Sequence, residues 1–169
     1  MTTPSSKKLA HSNQAAWEAL YASTSRLVWG KQPVGFLKPF LRRFIPAGTR
    51  FARVLDAAAG EGRNLPLLLQ LGHEVVACDS SATALEKIPA PVAARIRRVR
   101  CDLEATPFAA GSFDLILLSD LVETLPKPAP VFAEMTRILA PGGRLICNIP
   151  GPEDTIAGID MTVLGTDRY

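Results

Sequence analysis

Apolar and polar positions fall in blocks along the chain rather than alternating residue by residue. Five short runs, Arg53 to Asp56, Glu74 to Cys78, Arg97 to Cys101, Phe113 to Leu118 and Arg144 to Ile149, are rich in Val, Ile and Leu. Near-continuous apolar character suits strands covered on both faces, as in a parallel sheet with helices above and below. Between the runs, Asn64 to Leu71, Ala82 to Ile88, Ser119 to Leu125 and Ala129 to Leu139 read as helices. Ser80 and Ser81 are placed to cap the second of these helices. Gly72 is expected to end the first in the left-handed region, and Pro141-Gly142-Gly143 to close the last before the fifth strand. The order of elements predicts an α/β fold.

Composition narrows the class. The chain has 169 residues, 47% hydrophobic and 21% charged, which is room and material for one globular domain. No apolar run approaches the roughly 20 residues of a membrane span. Met1 to Lys8 is polar and lacks the apolar stretch of a secretory signal, so a frayed tail over 1–10 and a cytoplasmic location are expected. Cys78, Cys101 and Cys147 are an odd number without C-x-x-C spacing and read as reduced core residues, not as a disulfide framework or zinc site. Net charge is +3; Arg95, Arg97, Arg98 and Arg100 surround Ile96 and Val99, and a solvated approach to a strand is preferred over a nucleic-acid surface.

Candidate chemistry gathers where the strands end. Val54-Leu55-Asp56-Ala57-Ala58-Ala59-Gly60-Glu61-Gly62-Arg63-Asn64-Leu65 is an apolar strand ending on a carboxylate, then a small-residue turn, then a helix start. Glycine at 60 and 62 permits positive φ and removes the Cβ that would hold a ligand off, and a helix start offers unpaired N–H groups. A dinucleotide turn would place pyrophosphate there and have little use for a carboxylate, whereas a cationic ligand suits Asp56. Asp79 and Asp102 end the next two strands, so three acids face the crevice beyond the sheet's carboxyl edge. The competing reading is that each caps its own turn.

Asp56 to Gly62 resembles the first motif of class I S-adenosylmethionine-dependent methyltransferases, an acid followed by three spaced glycines. Ala58 stands where the first glycine falls, a replacement compatible with negative φ. Asp79, Cys101-Asp102-Leu103, Gly111 to Ser119 and Leu139 to Leu145 continue the resemblance in order, so that it spans roughly Arg53 to Ile149. It implies a Rossmann-like, doubly wound, mostly parallel sheet with helices on both faces. It also implies S-adenosyl-L-methionine as cofactor and S-adenosyl-L-homocysteine as product. By likeness, Asp56, Ala58, Gly60 and Gly62 form the turn against the cofactor, Asp79 with Ser80 meets ribose, Asp102 and the Leu103 backbone hold adenine, and the Ser119 backbone approaches the methionine end.

The first fifty residues, through Trp17-Glu18-Ala19-Leu20-Tyr21 and Leu27 to Pro33, look like the tellurite-resistance and thiopurine-type branch. There the amino-terminal segment folds over the cofactor, so 11–50 is expected as a cap on a 51–150 core. Trp29 is expected to cover the sulfonium, the alternative being that Trp17, Tyr21 and Trp29 simply pack onto the sheet. Methyl transfer from a sulfonium needs mainly positioning, and no catalytic acid or base is assigned. Asp120, Glu123 and Thr124 follow the fourth strand as acceptor-orienting or capping residues. His11 falls in the tail, and His73 reads as an exposed turn residue.

The family adds a helix and an antiparallel pair of strands after the fifth strand, more than Pro150 to Tyr169 supplies. A turn at Gly151-Pro152-Glu153-Asp154, a short strand at Met161-Thr162-Val163-Leu164 and self-association as a homodimer through the fifth-strand edge are expected. A methyltransferase acting on a small-molecule acceptor leads; a noncatalytic S-adenosylmethionine sensor and a nicotinamide oxidoreductase are the alternatives. No metal or membrane partner is expected.

Overall fold

The computed structural model describes residues 6–149, with side chains from Gln14 onward. Strands β1 (Phe51–Ala57), β2 (Gly72–Asp79), β3 (Arg97–Arg100), β4 (Phe113–Leu118) and β5 (Leu139–Cys147) form one sheet in the order β3-β2-β1-β4-β5. Every neighbouring pair is parallel. The chain winds outward from β1 through β2 to β3, then returns to pair β4 with the other side of β1. Strand order therefore reverses between β1 and β4, and a crevice opens beyond their carboxyl ends.

Alternation along β1 sorts the core into two layers. Val54 packs with Leu65, Leu68, Leu85, Ile88, Leu37 and Leu41 on one face; Leu55 and Ala57 pack with Val131, Met135 and Ile138 on the other. The first layer is roofed by α2 (Leu37–Phe44), α3 (Leu65–Leu68) and α4 (Ala82–Glu86), the second by α6 (Ala129–Ile138). Helix α1 (Ser6–Ala22) reaches α4 and the end of β2 through Glu18, which accepts the Thr83 hydroxyl at 2.5 Å, and Gln14, which donates to the Ser80 carbonyl at 3.2 Å. A four-residue helix, α5 (Ala90–Ala93), leads into β3. No helix among the described residues is long and apolar enough to cross a membrane.

The doubly wound α/β architecture is the one expected, and β4 has the expected bounds; other elements differ for identifiable reasons. Helix α3 is one turn: Gly62 to Asn64 is spent on the preceding turn, and beyond Leu68 the chain tightens into i→i+3 bonds, Gln70 N–H to the Leu67 carbonyl at 3.1 Å and Leu71 N–H to the Leu68 carbonyl at 2.9 Å. Gly72 opens β2 instead of ending a helix: a Cβ there would meet Val54 Cγ2 at 2.7 Å, so close packing requires the glycine. Strand β5 begins at Leu139, because Pro141-Gly142-Gly143 forms a bulge inside the strand: Phe113 pairs Leu139, while Leu115 already pairs Arg144. The Ser119 to Leu125 segment keeps only a 3-10 turn, Val122–Thr124.

Residues 6–10, expected as tail, belong to α1. His73 lies on β2, exposed. The expected turn at 151–154, the strand at 161–164 and the side chain of His11 lie outside the described residues.

Cys78 and Cys101 are joined by a disulfide, correcting the expectation that all three cysteines are reduced. Spacing along the chain does not reveal this. The pairing follows from β2 and β3 being neighbours, which brings the two Cα atoms within 6.1 Å. Cys147 is free.

Candidate functional site

Asp56 is fully buried near the end of β1, flanked in register by Ala77 of β2 and Leu117 of β4. Neither carboxylate oxygen has a hydrogen-bond partner among the described residues. Burial pushes its carboxyl up to about 8; the nearby Asp79 charge adds to the rise and Arg63 opposes it. The folded chain thus holds a proton that the unfolded chain has released, and stability falls as pH rises from the ordinary value of 3.8 toward about 8. Replacing Asp56 with Asn is expected to flatten that dependence, as read from urea midpoints at about pH 5 and about pH 8.

The turn beyond β1 runs through left-handed backbone at Ala58 (φ 61°), Gly60 (φ 53°) and Gly62 (φ 81°). The positive φ at Ala58 corrects the expectation of a negative one. The turn's hydrogen bonds account for it: Ala59 donates to the Cys78 carbonyl at 2.9 Å and Gly62 to the Ala59 carbonyl at 2.9 Å, pinning both sides of the bend. An alanine in this region carries a steric cost that glycine lacks. Ala58→Gly is expected to raise stability by about 0.5–1 kcal/mol, seen as a higher urea midpoint with unchanged slope.

Asp79, at the end of β2, is the turn's polar anchor. Its Oδ2 accepts the Gly60 N–H at 2.8 Å and its Oδ1 the Ser81 N–H at 2.9 Å, while burial raises its carboxyl above the usual range. Ser81, not Ser80, caps α4, accepting the Ala84 N–H at 3.0 Å. The Ser80 carbonyl accepts from Arg100 Nε at 3.0 Å.

An aromatic cap sits on this turn. A Cβ at Gly60 would lie 2.8 Å from the Tyr21 hydroxyl, which accepts Trp29 Nε1–H at 3.0 Å. The Trp17 and Trp29 rings are 6.2 Å apart. The cation over Trp29 is Arg63, 5.5 Å from the ring centroid. Between the two glycines, Glu61 is turned inward: its Oε2 accepts the Val28 N–H at 2.7 Å and the Trp29 N–H at 3.3 Å, and its Oε1 is 3.4 Å from Lys87 Nζ. Lys87 also donates to the carbonyls of Tyr21 and Thr24, both at 2.5 Å, and of Arg26 at 3.3 Å. One lysine therefore gathers residues 21–26 of the cap while its carboxylate partner holds 28 and 29.

On the β4 side, Asn64 Nδ2 donates to Ser119 Oγ at 2.9 Å and its Oδ1 accepts the Val34 N–H at 3.0 Å. Asp120 (φ 51°) pairs with Arg63 and exchanges two hydrogen bonds with Asn148, at 2.9 and 2.6 Å, closing the ends of β4 and β5 together. Glu123 has both oxygens shielded from water, and burial, with the Asp120 charge, raises its carboxyl.

Trp29, Asp56, Ala58, Gly60, Gly62, Asp79 and Ser119 thus lie along one linked rim. Asp102 stands apart: it is exposed, and its Oδ1 accepts the Glu104 N–H at 2.9 Å, while Leu103 packs against the α6 layer. Sequence reasoning assigned no role to Glu61, Lys87 or Asn148. A charged residue between two glycines was the available signal for Glu61.

The stretch from β1 to β5 has counterparts in known proteins. Residues 55–147 match the family model described as a methyltransferase domain. Demethylmenaquinone methyltransferase of Renibacterium salmoninarum is 37% identical over 94 residues, covering 56% of this chain and 39% of that protein. The tRNA 5-carboxymethoxyuridine methyltransferase of Escherichia coli K12 is 32% identical over 106 residues, covering 58% of this chain and 40% of that one. The chain thus spans about two fifths of the length of these curated relatives. Among solved structures, the DhpI-SAM-HEP complex shares the fold, with a TM-score of 0.65 at 20% identity over 88% of this chain and 70% of that one. With its match running from β1 to the end of β5, the chain belongs to the methyltransferase domain family.

Proposed function

We propose that the chain binds S-adenosyl-L-methionine and transfers its methyl group to a small-molecule acceptor. The observation that carries this reading is Asp56, a buried carboxylate with no hydrogen-bond partner beside the left-handed turn through Ala58, Gly60 and Gly62. A cationic amino group is the natural complement to such a carboxylate, and binding it would let Asp56 ionise. The bound cofactor supplies an activated methyl on a positively charged sulfur. The chain's own residues position it. Asp79 holds the Gly60 turn and offers its charge to hydroxyl donors, Ser119 and Asn64 form the far wall, and Trp29 with Tyr21 excludes water from above.

The aromatic cap supports the narrower likeness to the tellurite-resistance and thiopurine-type branch. Small quinone-type acceptors fit the relative from Renibacterium salmoninarum; the tRNA-modifying relative keeps a nucleic-acid acceptor as the competing outcome of a substrate screen. We place the protein in the cytoplasm, and we propose a homodimer through β5, the outer strand on its side of the described sheet, which sedimentation would read as a doubled mass.

Calorimetric titration with S-adenosylmethionine, S-adenosylhomocysteine and NAD tests the reading. Binding of the first two without the third is expected, and methyl transfer to any acceptor excludes a noncatalytic sensor; binding of NAD alone overturns the proposal. The cap's part is tested through its latch. Lys87→Met removes four contacts at once, so tryptophan emission is expected to shift to the red and the cofactor dissociation constant to rise about tenfold, with partial recovery in Lys87→Arg.

A further inference from the structure

We propose that Cys78 and Cys101 form a reversible thiol–disulfide site that sets the grip on the adenosine end of the cofactor. The inference rests on the S-adenosylmethionine reading above. Each cysteine immediately precedes one of the acids assigned to that end, Asp79 and Asp102. Cys78 lies on β2 with its carbonyl accepting the Ala59 N–H at 2.9 Å, so it is tied directly to the glycine turn. Cys101 follows β3 directly, and its N–H donates to the Asp79 carbonyl at 3.0 Å. The disulfide therefore sits where the turn, Asp79 and the segment carrying Asp102 meet.

Apart from the packing of Leu103, that segment has few other contacts. Strand β3 has four residues and lies at the sheet edge, and among the described residues it pairs with β2 alone. Beyond it, Asp102 makes turn bonds alone, from Glu104 N–H at 2.9 Å and Ala105 N–H at 3.2 Å. The covalent link ties the start of this segment to β2, adding to the Cys101 N–H bond to the Asp79 carbonyl and the packing of Leu103 against the α6 layer. Opening it leaves the strand pairing intact and loosens residues 101–105, which must then be ordered again when cofactor binds.

Chemistry and access agree. Cys78 is fully buried and Cys101, at 9%, is buried as well, so reduction goes through local opening at the end of β3, where an entering thiolate meets Cys101 Sγ first. A small dithiol attacks there: the Cys101–Cys78 bond breaks, Cys78 leaves as a thiolate and takes a proton from water. The reagent's second thiol then closes on the mixed disulfide and releases Cys101. The dithiol is oxidised to its cyclic disulfide and the protein gains two electrons and two protons. Cys147 takes no part, since β5 is at the opposite edge of the sheet. In a reducing compartment such a pair opens and closes with redox poise, unlike the permanent bridges of secreted domains.

The test uses the full chain, oxidised with glutathione disulfide or reduced with dithiothreitol. Each form is alkylated and peptide-mapped, titrated with S-adenosylmethionine, and followed by hydrogen exchange over residues 101–105. The oxidised form is expected to show the Cys78–Cys101 peptide with Cys147 alkylated. The reduced form is expected to exchange faster at 101–105 and to bind about tenfold more weakly. Cys101→Ser should match the reduced form and ignore dithiothreitol; the wild-type comparison needs no variant to fold. By linkage, saturating cofactor should make the bridge harder to reduce by the same factor. Alkylation of both cysteines in the oxidised folded protein overturns the proposal, as does equal affinity in the two forms. Equal affinity leaves the cofactor reading standing, whereas no binding in either form overturns that reading and this one together.

Discussion

Asp79→Ala is expected to raise the dissociation constant for S-adenosylmethionine by about a hundredfold, making it the most damaging single change on the cofactor side of the site. The carboxylate is buried and holds two backbone donors, Gly60 N–H from the turn after β1 and Ser81 N–H from its own turn after β2. Hydrogen bonds to a charged group contribute about 1.5–3 kcal/mol each, and every 1.4 kcal/mol or so is tenfold in affinity. Losing both bonds leaves the turn tied to β2 through the Ala59 N–H and Cys78 carbonyl, and removes the charge offered to the ligand, about 3 kcal/mol in all. Asp79→Asn keeps one acceptor oxygen and is expected to recover part of the loss. Calorimetry checks both, with circular dichroism confirming the fold. Parent-like affinity in the alanine variant would confine Asp79 to holding the turn.

Gly62→Val is expected to cost a large share of the domain's stability, about 2–5 kcal/mol. A Cβ at this position would lie 2.6 Å from Leu65 Cδ1 and 3.1 and 3.3 Å from two Ile88 carbons, and the backbone there has φ 81°. Overpacking a filled core costs about 1–3 kcal/mol, and left-handed backbone at a β-branched residue costs about 1–2 kcal/mol more. The sum, about 2–5 kcal/mol, is a large share of the whole stability of a small domain, about 5–15 kcal/mol. Gly142→Ala separates the two contributions. Gly142 has φ 74° with open space around it, so only the backbone cost applies, and a folded protein about 1 kcal/mol less stable is expected. Soluble yield and urea unfolding distinguish the two variants.

Local pattern carried the fold and only part of the site. Val54-Leu55, Val75-Val76 and Leu115 to Leu118 announce buried strands because both faces of each are covered, which leaves few polar positions along the run. Proximity across the sheet is not written in that way. Glu61 meets Val28 across 33 residues and Asp120 meets Asn148 across 28, and neither pair has a periodic signature. The Cys78–Cys101 link became visible only with strand order, although both cysteines had already been placed at strand ends. Gly72 and Ala58 depart from expectation for different reasons, a neighbour's bulk at the first and the turn's hydrogen bonds at the second. A glycine answers either to backbone angle or to a neighbour's bulk, and Val54 Cγ2, which decides the case of Gly72, lies on another strand.

The reversal of strand order between β1 and β4 also sets the sequence of events in folding. The pairing of β1 with β2 closes a short loop, so Asp79 and the Gly60 turn form one early, local unit. The pairing of β1 with β4 must wait for the chain to travel out through β3 and back, a closure of far higher contact order. Asn64 and Ser119, joined across 55 residues, meet only in that last step. Mutations at their contact should therefore leave the folding rate nearly unchanged and speed unfolding, whereas mutations at the Asp79–Gly60 contact should slow folding itself.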